Sequence, residues 1–192
     1  MSSALSKDRL RAAALAARDA LSPEHRAAAA ETVAARGLPV ELAAGAVVAG
    51  YAPIRSEFDP MPLLRRLAAA GATLALPVIA GRDRPLRFCS FAIGEALVRG
   101  TLGIPQPAPG APERTPDILL VPLVGFDRSG HRVGYGAGYY DRTLAALPGR
   151  RRAVAIGLAF AAQELDDLPA QPHDARLDFV LTEAETFDFR SK

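Results

Sequence analysis

The stretch HRVGYGAGYYDR, residues 131 to 142, holds three of the chain's four tyrosines and three of its sixteen glycines. Gly134, Gly136 and Gly138 are spaced G-x-G-x-G, which differs from the dinucleotide fingerprint G-x-G-x-x-G. No lysine-serine or lysine-threonine pair follows to make a P-loop. The physics of those motifs still applies, because glycines let backbone N–H groups approach an anion closely and a following helix N-terminus favours negative charge. A tight turn is the other use of such a loop. Tyr135, Tyr139 and Tyr140 combine flat apolar area with a hydroxyl that needs a partner, which suits a planar heteroaromatic ligand; the alternative is that Tyr139 and Tyr140 pack under a helix and over the loop. Asp141 reads equally as a dipole-complementing residue in the first turn of a helix and as a carboxylate for magnesium, which takes one or two carboxylates plus phosphate oxygens. Arg132 stands where it could clamp the same phosphates.

Elsewhere the reactive side chains are few. Lys7 and Arg11 are four apart, hence on one face of a predicted helix, either as a binding pair or as a plain basic surface. Of 23 basic residues only Lys7 and Lys192 are lysine, so a compact ammonium at position 7 stands out against an arginine bias, unless that bias is chance in an Ala- and Arg-rich chain. One cysteine, Cys89, and three scattered histidines, His25, His131 and His173, exclude an internal disulfide and the usual zinc clusters, so a metal would be held by oxygen. The histidines read as surface residues and Cys89 as a small core residue.

The elements that must position these groups follow from periodicity and punctuation. Residues 4 to 20 and 23 to 36 read as helices, the second opened by Ser22 and Pro23 and closed by Gly37 with Pro39 beyond. AGAVVAGY, ATLALPVI, DILLVPLV and RAVAIGLAF read as buried strands, PLRFCSF as a half-buried one, and DFVLTE as the last strand. Helices are predicted from Asp59-Pro60 to about Ala70 and over GYYDRTLAAL. PQPAPGAPERTP reads as a surface connection without regular structure. Strands alternating with helices imply α/β architecture with a largely parallel sheet covered on both faces, in which ligands bind beyond the carboxyl ends of the strands. The glycine and tyrosine stretch lies in such a loop, after ILLVP.

Composition narrows the function further. With 49% hydrophobic and 23% charged residues and a formal charge of +2, the chain reads as one soluble globular domain spanning residues 1 to 192. No apolar run is long enough to span a membrane, and the charged start MSSALSKDRLR is unlike a signal peptide, so a cytoplasmic location is expected. Acidic and basic residues are interspersed, which argues against nucleic acid; the run Arg150, Arg151 and Arg152 reads as a helix end.

VPLVGFDRSGHRVGYGAGYYDRTL resembles the signature of the 5-formyltetrahydrofolate cyclo-ligase (methenyltetrahydrofolate synthetase) family, in which a Phe-Asp, a Gly-x-Arg, a glycine-rich segment and Gly-Tyr-Tyr-Asp follow in order. KDRLR is similar to that family's Lys-x-x-x-Arg pair, YAPIRSEFD to its strand and substrate-side glutamate, GIPQP to its Gly-Ile-x-x-Pro connection, and AFAAQELDDLPAQPHDARLDFVLTE to its closing segment.

The resemblance implies an open Rossmann-like three-layer α/β/α fold and an ATP- and Mg2+-dependent conversion of 5-formyltetrahydrofolate to 5,10-methenyltetrahydrofolate. It implies that Lys7, Arg11 and Arg132 contact ATP, with Gly134, Tyr135, Gly136, Ala137, Gly138, Tyr139 and Tyr140 lining the nucleotide. The segment from Tyr135 to Tyr139 would also line the folate, faced by Ala52 and Glu57; without the resemblance Glu57 is a solvated loop carboxylate. Arg132, Tyr139 and Tyr140 would act in catalysis, and Asp141 and Asp174 would hold magnesium. The implied partners are the folate and ATP, with no nucleic acid and no membrane, and the implied state is a monomer. Two positions depart from the family pattern. Ala137 stands where glycine or a basic residue is usual, which removes a basic contact, and Leu86 stands where methionine is common, a swap of similar volume.

Overall fold

The computed structural model describes residues 2–147, 153–169, 171 and 174–190; Arg150, Arg151, Arg152, His173 and Lys192 lie outside the described residues. Four α-helices are present among them: α1 (Ser2–Asp19), α2 (Pro23–Arg36), α3 (Met61–Ala69) and α4 (Tyr139–Ala146). The strands are β1 (Val47–Ala49), β2 (Thr73–Ile79), β3 (Leu86–Ser90), β4 (Val98–Arg99), β5 (Pro105–Gln106), β6 (Glu113–Arg114), β7 (Ile118–Pro122), β8 (Gly125–Phe126), β9 (Arg132–Val133), β10 (Val154–Leu158), β11 (Phe179–Leu181) and β12 (Thr186–Asp188).

Local chemistry sets the helix limits. The Ser22 hydroxyl accepts from His25 N at 3.1 Å, Pro23 opens α2, and Gly37, at φ 78°, returns its N–H to Val33 O. Asp59 Oδ1 accepts from Met61 N at 2.9 Å at the start of α3, and Gly71, at φ 92°, follows its end.

The main sheet runs β12-β11-β10-β7-β1-β2-β3-β6. Its centre, from β11 to β2, is parallel, whereas β3 and β6 at one end and β12 at the other pair antiparallel. Successive residues of the central strands point to opposite faces, and both faces are buried, which is why these strands read as continuous apolar runs. On one face Val48, Leu120, Ile156 and Phe179 pack with α2 and α3 through Val33 and Leu64. On the other, Ala49, Leu119, Val121 and Val180 pack with Phe126, Phe187 and the α4 side chains Tyr139, Tyr140 and Leu144. Helix α1 packs through Leu10 and Ala14 on Val124, Val133 and Leu168.

Two expectations require correction. The proline-rich stretch from Pro105 contributes β5, which pairs with β4, and β6, which pairs with β3 at the sheet edge. DFVLTE is not the last strand: Thr182 N donates to Glu185 O at 3.0 Å, and the chain turns back as β12 along β11. Among the described residues no helix is long and apolar enough to cross a membrane.

From β1 the chain crosses through α3 to β2 on one side, while β7, β10 and β11 extend the sheet on the other. The order therefore reverses between β1 and β7, and a crevice opens at their carboxyl ends.

Candidate active site

At that reversal lies a cavity of about 1050 Å³, lined by Tyr51 and Ala52 after β1 and by Pro122 at the end of β7. All four tyrosines of the chain, Tyr51, Tyr135, Tyr139 and Tyr140, line it. So do Lys7, Arg11, Glu57, Arg132, Asp141 and Asp174, together with Gly134, Gly136, Ala137 and Gly138. Every side chain singled out for the site thus reaches one cavity, although the residues span positions 7 to 174.

The β1 side is built by a short braced turn. Gly50 is required by packing, since a Cβ there would meet Leu64 Cδ1 at 2.5 Å. Tyr51, buried, donates its hydroxyl to Phe58 O at 2.7 Å. Glu57 N donates to Ile54 O at 3.1 Å while Glu57 Oε2 accepts from Ile54 N at 2.9 Å, with Arg55 between them at φ 54°. Glu57 is only 9% exposed, so the alternative of a solvated loop carboxylate does not hold. Burial raises its carboxyl above the usual range, opposed by the Ile54 N–H and by Arg18 and Arg55. Burial, with Glu57 next, also raises the Tyr51 and Tyr140 hydroxyls, so both remain protonated donors and neither serves as a base near neutral pH.

The opposite side is built by the β8–β9 hairpin and the glycine loop. Asp127, fully buried, shapes the hairpin turn: Oδ1 accepts from Ser129 N and His131 N at 2.8 and 3.1 Å, and Oδ2 accepts from Leu168 N at 3.1 Å. His131 is consequently half-buried beside Asp127, not a surface residue; His25 is exposed and Cys89 buried as expected. Gly136 and Gly138 have φ of 95° and 66°, so the backbone itself calls for glycine there. Gly134 is different: its φ is not positive, and a Cβ would meet nothing within 4 Å. The Arg142 guanidinium donates to Ala137 O at 2.7 Å and lies 5.2 Å from the Tyr139 ring, closing the loop onto α4.

The charged groups of this side are paired. Lys7 Nζ donates to Asp174 Oδ2 at 2.6 Å, and Arg132 Nη2 to Asp141 Oδ1 at 2.7 Å. Arg132 Nη1 donates to Ala175 O, and Ala175 N to Asp141 Oδ1 at 3.2 Å, so the residue following Asp174 ties the two pairs together. Arg11 donates to Gly134 O at 2.7 Å and pairs with Asp8, anchoring the glycine loop to α1. Among the described residues the hydrogen bonds accepted by Asp141 fall on Oδ1, which leaves Oδ2 for a cation. Among the described residues no group of three or more His, Cys, Asp or Glu side chains could hold a metal ion. Asp141 and Asp174 both line the cavity, and two carboxylates suit magnesium, which keeps waters and phosphate oxygens in its shell, better than an ion caged by protein alone.

Sequence reasoning missed several contributors. Leu102, 75% exposed at φ 60° between β4 and β5, lines the cavity with an apolar side chain. Arg18 is fully buried and donates to Ser56 Oγ at 3.0 Å and to Tyr135 OH at 2.7 Å. The available signal was its spacing, since Lys7, Arg11, Ala14 and Arg18 recur at helical intervals on one face of α1.

Comparison with known proteins identifies the family of the chain. The model of the 5-formyltetrahydrofolate cyclo-ligase family matches residues 3–183. The chain is 38% identical over 146 residues to the 5-formyltetrahydrofolate cyclo-ligase of Mycolicibacterium smegmatis, covering 72% of this chain and 74% of the relative. It is 32% identical over 183 residues to that of Escherichia coli, covering 90% and 97%. Its fold superposes on the NMR structure of Aquifex aeolicus 5,10-methenyltetrahydrofolate synthetase with a TM-score of 0.79 at 30% identity, covering 96% and 93% of the two chains. A braced glutamate, a tyrosine-lined cavity and a glycine loop between ion pairs, on a chain matched by the family over nearly its whole length, lead to one conclusion: the chain belongs to the 5-formyltetrahydrofolate cyclo-ligase family.

Proposed function

We propose that the protein converts 5-formyltetrahydrofolate and ATP, with magnesium, into 5,10-methenyltetrahydrofolate, ADP and phosphate. The observation that carries this reading is the division of one cavity of about 1050 Å³ into a side of paired cations and carboxylates and a side of buried hydrogen-bonding groups. Pockets for one drug-sized ligand span roughly 300–1,000 Å³, so this cavity lies at the upper end of that range.

The formyl oxygen of the folate is a poor leaving group. Its attack on the γ-phosphorus releases ADP and makes it a phosphate ester; N10 then attacks the formyl carbon, the C–O bond breaks, phosphate departs with the formyl oxygen, and the N10 proton is lost. Phosphoryl transfer depends on placement and charge neutralisation more than on covalent help. Lys7, Arg11 and Arg132 supply positive charge along the triphosphate, and Gly134, which the fold does not require, leaves room for a phosphate against the backbone. Asp141 and Asp174 would hold magnesium, which when bound screens the phosphate charge as it shifts toward the leaving ADP. Glu57, with Ala52 beside it, accepts N–H groups of the pterin, and Leu102 covers its apolar surface. Tyr140, which burial keeps protonated, donates its hydroxyl, while Tyr135 and Tyr139 flank the ring as it gains positive charge.

The same reading makes the chain one cytoplasmic domain acting as a monomer on small molecules. The surface arginines Arg87, Arg128 and Arg190 are each ion-paired, which disfavours a nucleic-acid partner.

The experiment is to follow the near-ultraviolet absorbance of methenyltetrahydrofolate while purified protein is mixed with 5-formyltetrahydrofolate, ATP and magnesium, omitting each in turn. A rise that requires all three is expected; no rise from folded protein rejects the assigned reaction.

A further inference from the structure

Arg18 heads the fully buried side chains by volume, with 1% of its surface exposed. A guanidinium so placed is normally matched by a carboxylate. Here the carboxylate beside it, Asp19 Oδ1, lies 3.9 Å from Nε and belongs to a side chain that is mostly exposed. The hydrogen bonds of Arg18 go instead to two neutral oxygens, Ser56 Oγ at 3.0 Å and Tyr135 OH at 2.7 Å, and among the described residues Nη1 has no partner. Two turns and one turn earlier on the same helix, Leu10 and Ala14 do the packing, so an apolar residue at position 18 would serve the fold at lower cost.

The two oxygens belong to the two sides of the cavity. Ser56 precedes Glu57 in the braced turn after β1, and its own hydroxyl donates to Asp19. Tyr135, 40% exposed, lies in the glycine loop, with the Arg18 and Arg55 guanidinium carbons 5.7 and 6.0 Å from its ring. Buried polar groups left unsatisfied are rare and accumulate where function holds them.

We propose that Arg18 is a positioning residue that locks the Glu57 turn to the glycine loop through Ser56 and Tyr135, fixing the distance between the two halves of the site. It touches neither reactant; it acts through Tyr135 on one side and Ser56 on the other. The identity of the ligands rests on the cyclo-ligase reading above.

The test is a double-mutant cycle of Arg18→Met and Tyr135→Phe, with Arg18→Lys alongside, measuring KM for 5-formyltetrahydrofolate, kcat and thermal unfolding. Arg18→Met replaces a long side chain by one that still packs. It is expected to raise the folate KM roughly tenfold or more, the size associated with losing hydrogen bonds to a charged group. Arg18→Lys, with one ammonium for two acceptors, should recover part of the loss. Tyr135→Phe should raise KM several-fold in the wild-type background and add nothing once Arg18 is gone. Effects that multiply independently, or an Arg18→Met protein that melts lower but keeps the wild-type KM, overturn the proposal. Should Arg18→Met not fold, Tyr135→Phe and Ser56→Ala each remove one acceptor and are each expected to raise KM; wild-type KM in both overturns it. A folded wild type that neither forms product nor binds 5-formyltetrahydrofolate by calorimetry sinks the cyclo-ligase reading and this inference together, whereas an active wild type with an additive cycle sinks the inference alone.

Discussion

The two sides of the cavity solve the same electrostatic problem in opposite ways. On the α1 and glycine-loop side each cation faces a carboxylate, Lys7 with Asp174 and Arg132 with Asp141. On the β1 side Glu57 is buried and accepts from the neutral Ile54 N–H, and the buried Arg18, reaching over from α1, likewise donates to neutral groups, Ser56 of that turn and Tyr135 of the glycine loop. Ion pairs can exchange partners, so an incoming polyphosphate and its cation can take over Lys7, Arg132 and the two carboxylates without leaving any charge unmatched. Hydrogen bonds in a desolvated turn cannot be exchanged so freely; they hold geometry, and the cost is a carboxyl whose ionised form is disfavoured by burial. The first side is suited to neutralising a phosphate, the second to reading the shape and N–H pattern of a ring.

The sharpest way to break this contrast is at Arg132, whose side chain is 5% exposed. Arg132→Met should lower kcat/KM by about 10²–10³-fold, the scale of removing one donor from a developing oxyanion. It should also lower the melting temperature, because Asp141 loses its cation. Steady-state kinetics with thermal unfolding reads both.

Lys7→Met tests whether the sides are separable. The KM for ATP should rise by about tenfold while the KM for the folate stays at its wild-type value, a selectivity that follows if Lys7 contributes one charge-assisted contact to phosphate. An equal rise in both constants would merge the two sides into one.

Glu57→Gln addresses the buried side. The amide can still accept from Ile54 N–H, so the fold should persist while the folate KM rises roughly tenfold. In the wild type, folate affinity should fall as pH drops through the raised Glu57 pKa, and the Glu57→Gln protein should lose that dependence. The stability sign is opposite: between the usual 4.5 and the raised value the folded state binds more proton than the unfolded, so this residue's contribution weakens as pH rises through that window. Binding titrations and melting curves across pH separate the two slopes.

The smallest effects distinguish the glycines. Gly136→Ala must place a Cβ at φ 95° and should cost about 1 kcal/mol of stability. Gly134→Ala meets no atom within 4 Å and should melt like the wild type, yet raise the KM for ATP. Paired unfolding and kinetic measurements on the two variants check this.

What could be read in advance divides along similar lines. The limits of α2 were legible because Ser22, Pro23 and Gly37 act on their own backbone neighbours. The parallel centre was legible because burial on both faces leaves only apolar residues in β7 and β10. β6 and β12 escaped because they are two and three residues long and exist only by pairing with β3 and β11. The ion-paired side of the site was visible as a motif and a helical Lys-Arg spacing. The position of Glu57 was visible, but its burial was not, since that depends on the turn closing over it. Arg18 escaped because an arginine in an alanine-rich helix ordinarily points to solvent, and only the fold places Ser56 and Tyr135 above it.

The central claim is that the cavity joins ATP to the folate by activating the formyl oxygen, and isotope transfer tests it most directly. 5-Formyltetrahydrofolate labelled with oxygen-18 in the formyl group would be converted with ATP and magnesium, and the released phosphate analysed by phosphorus NMR. One labelled oxygen per phosphate, formed in step with methenyltetrahydrofolate, is the predicted result. Phosphate without label, with the isotope recovered in water, would show that ATP is hydrolysed apart from the folate and would contradict the account.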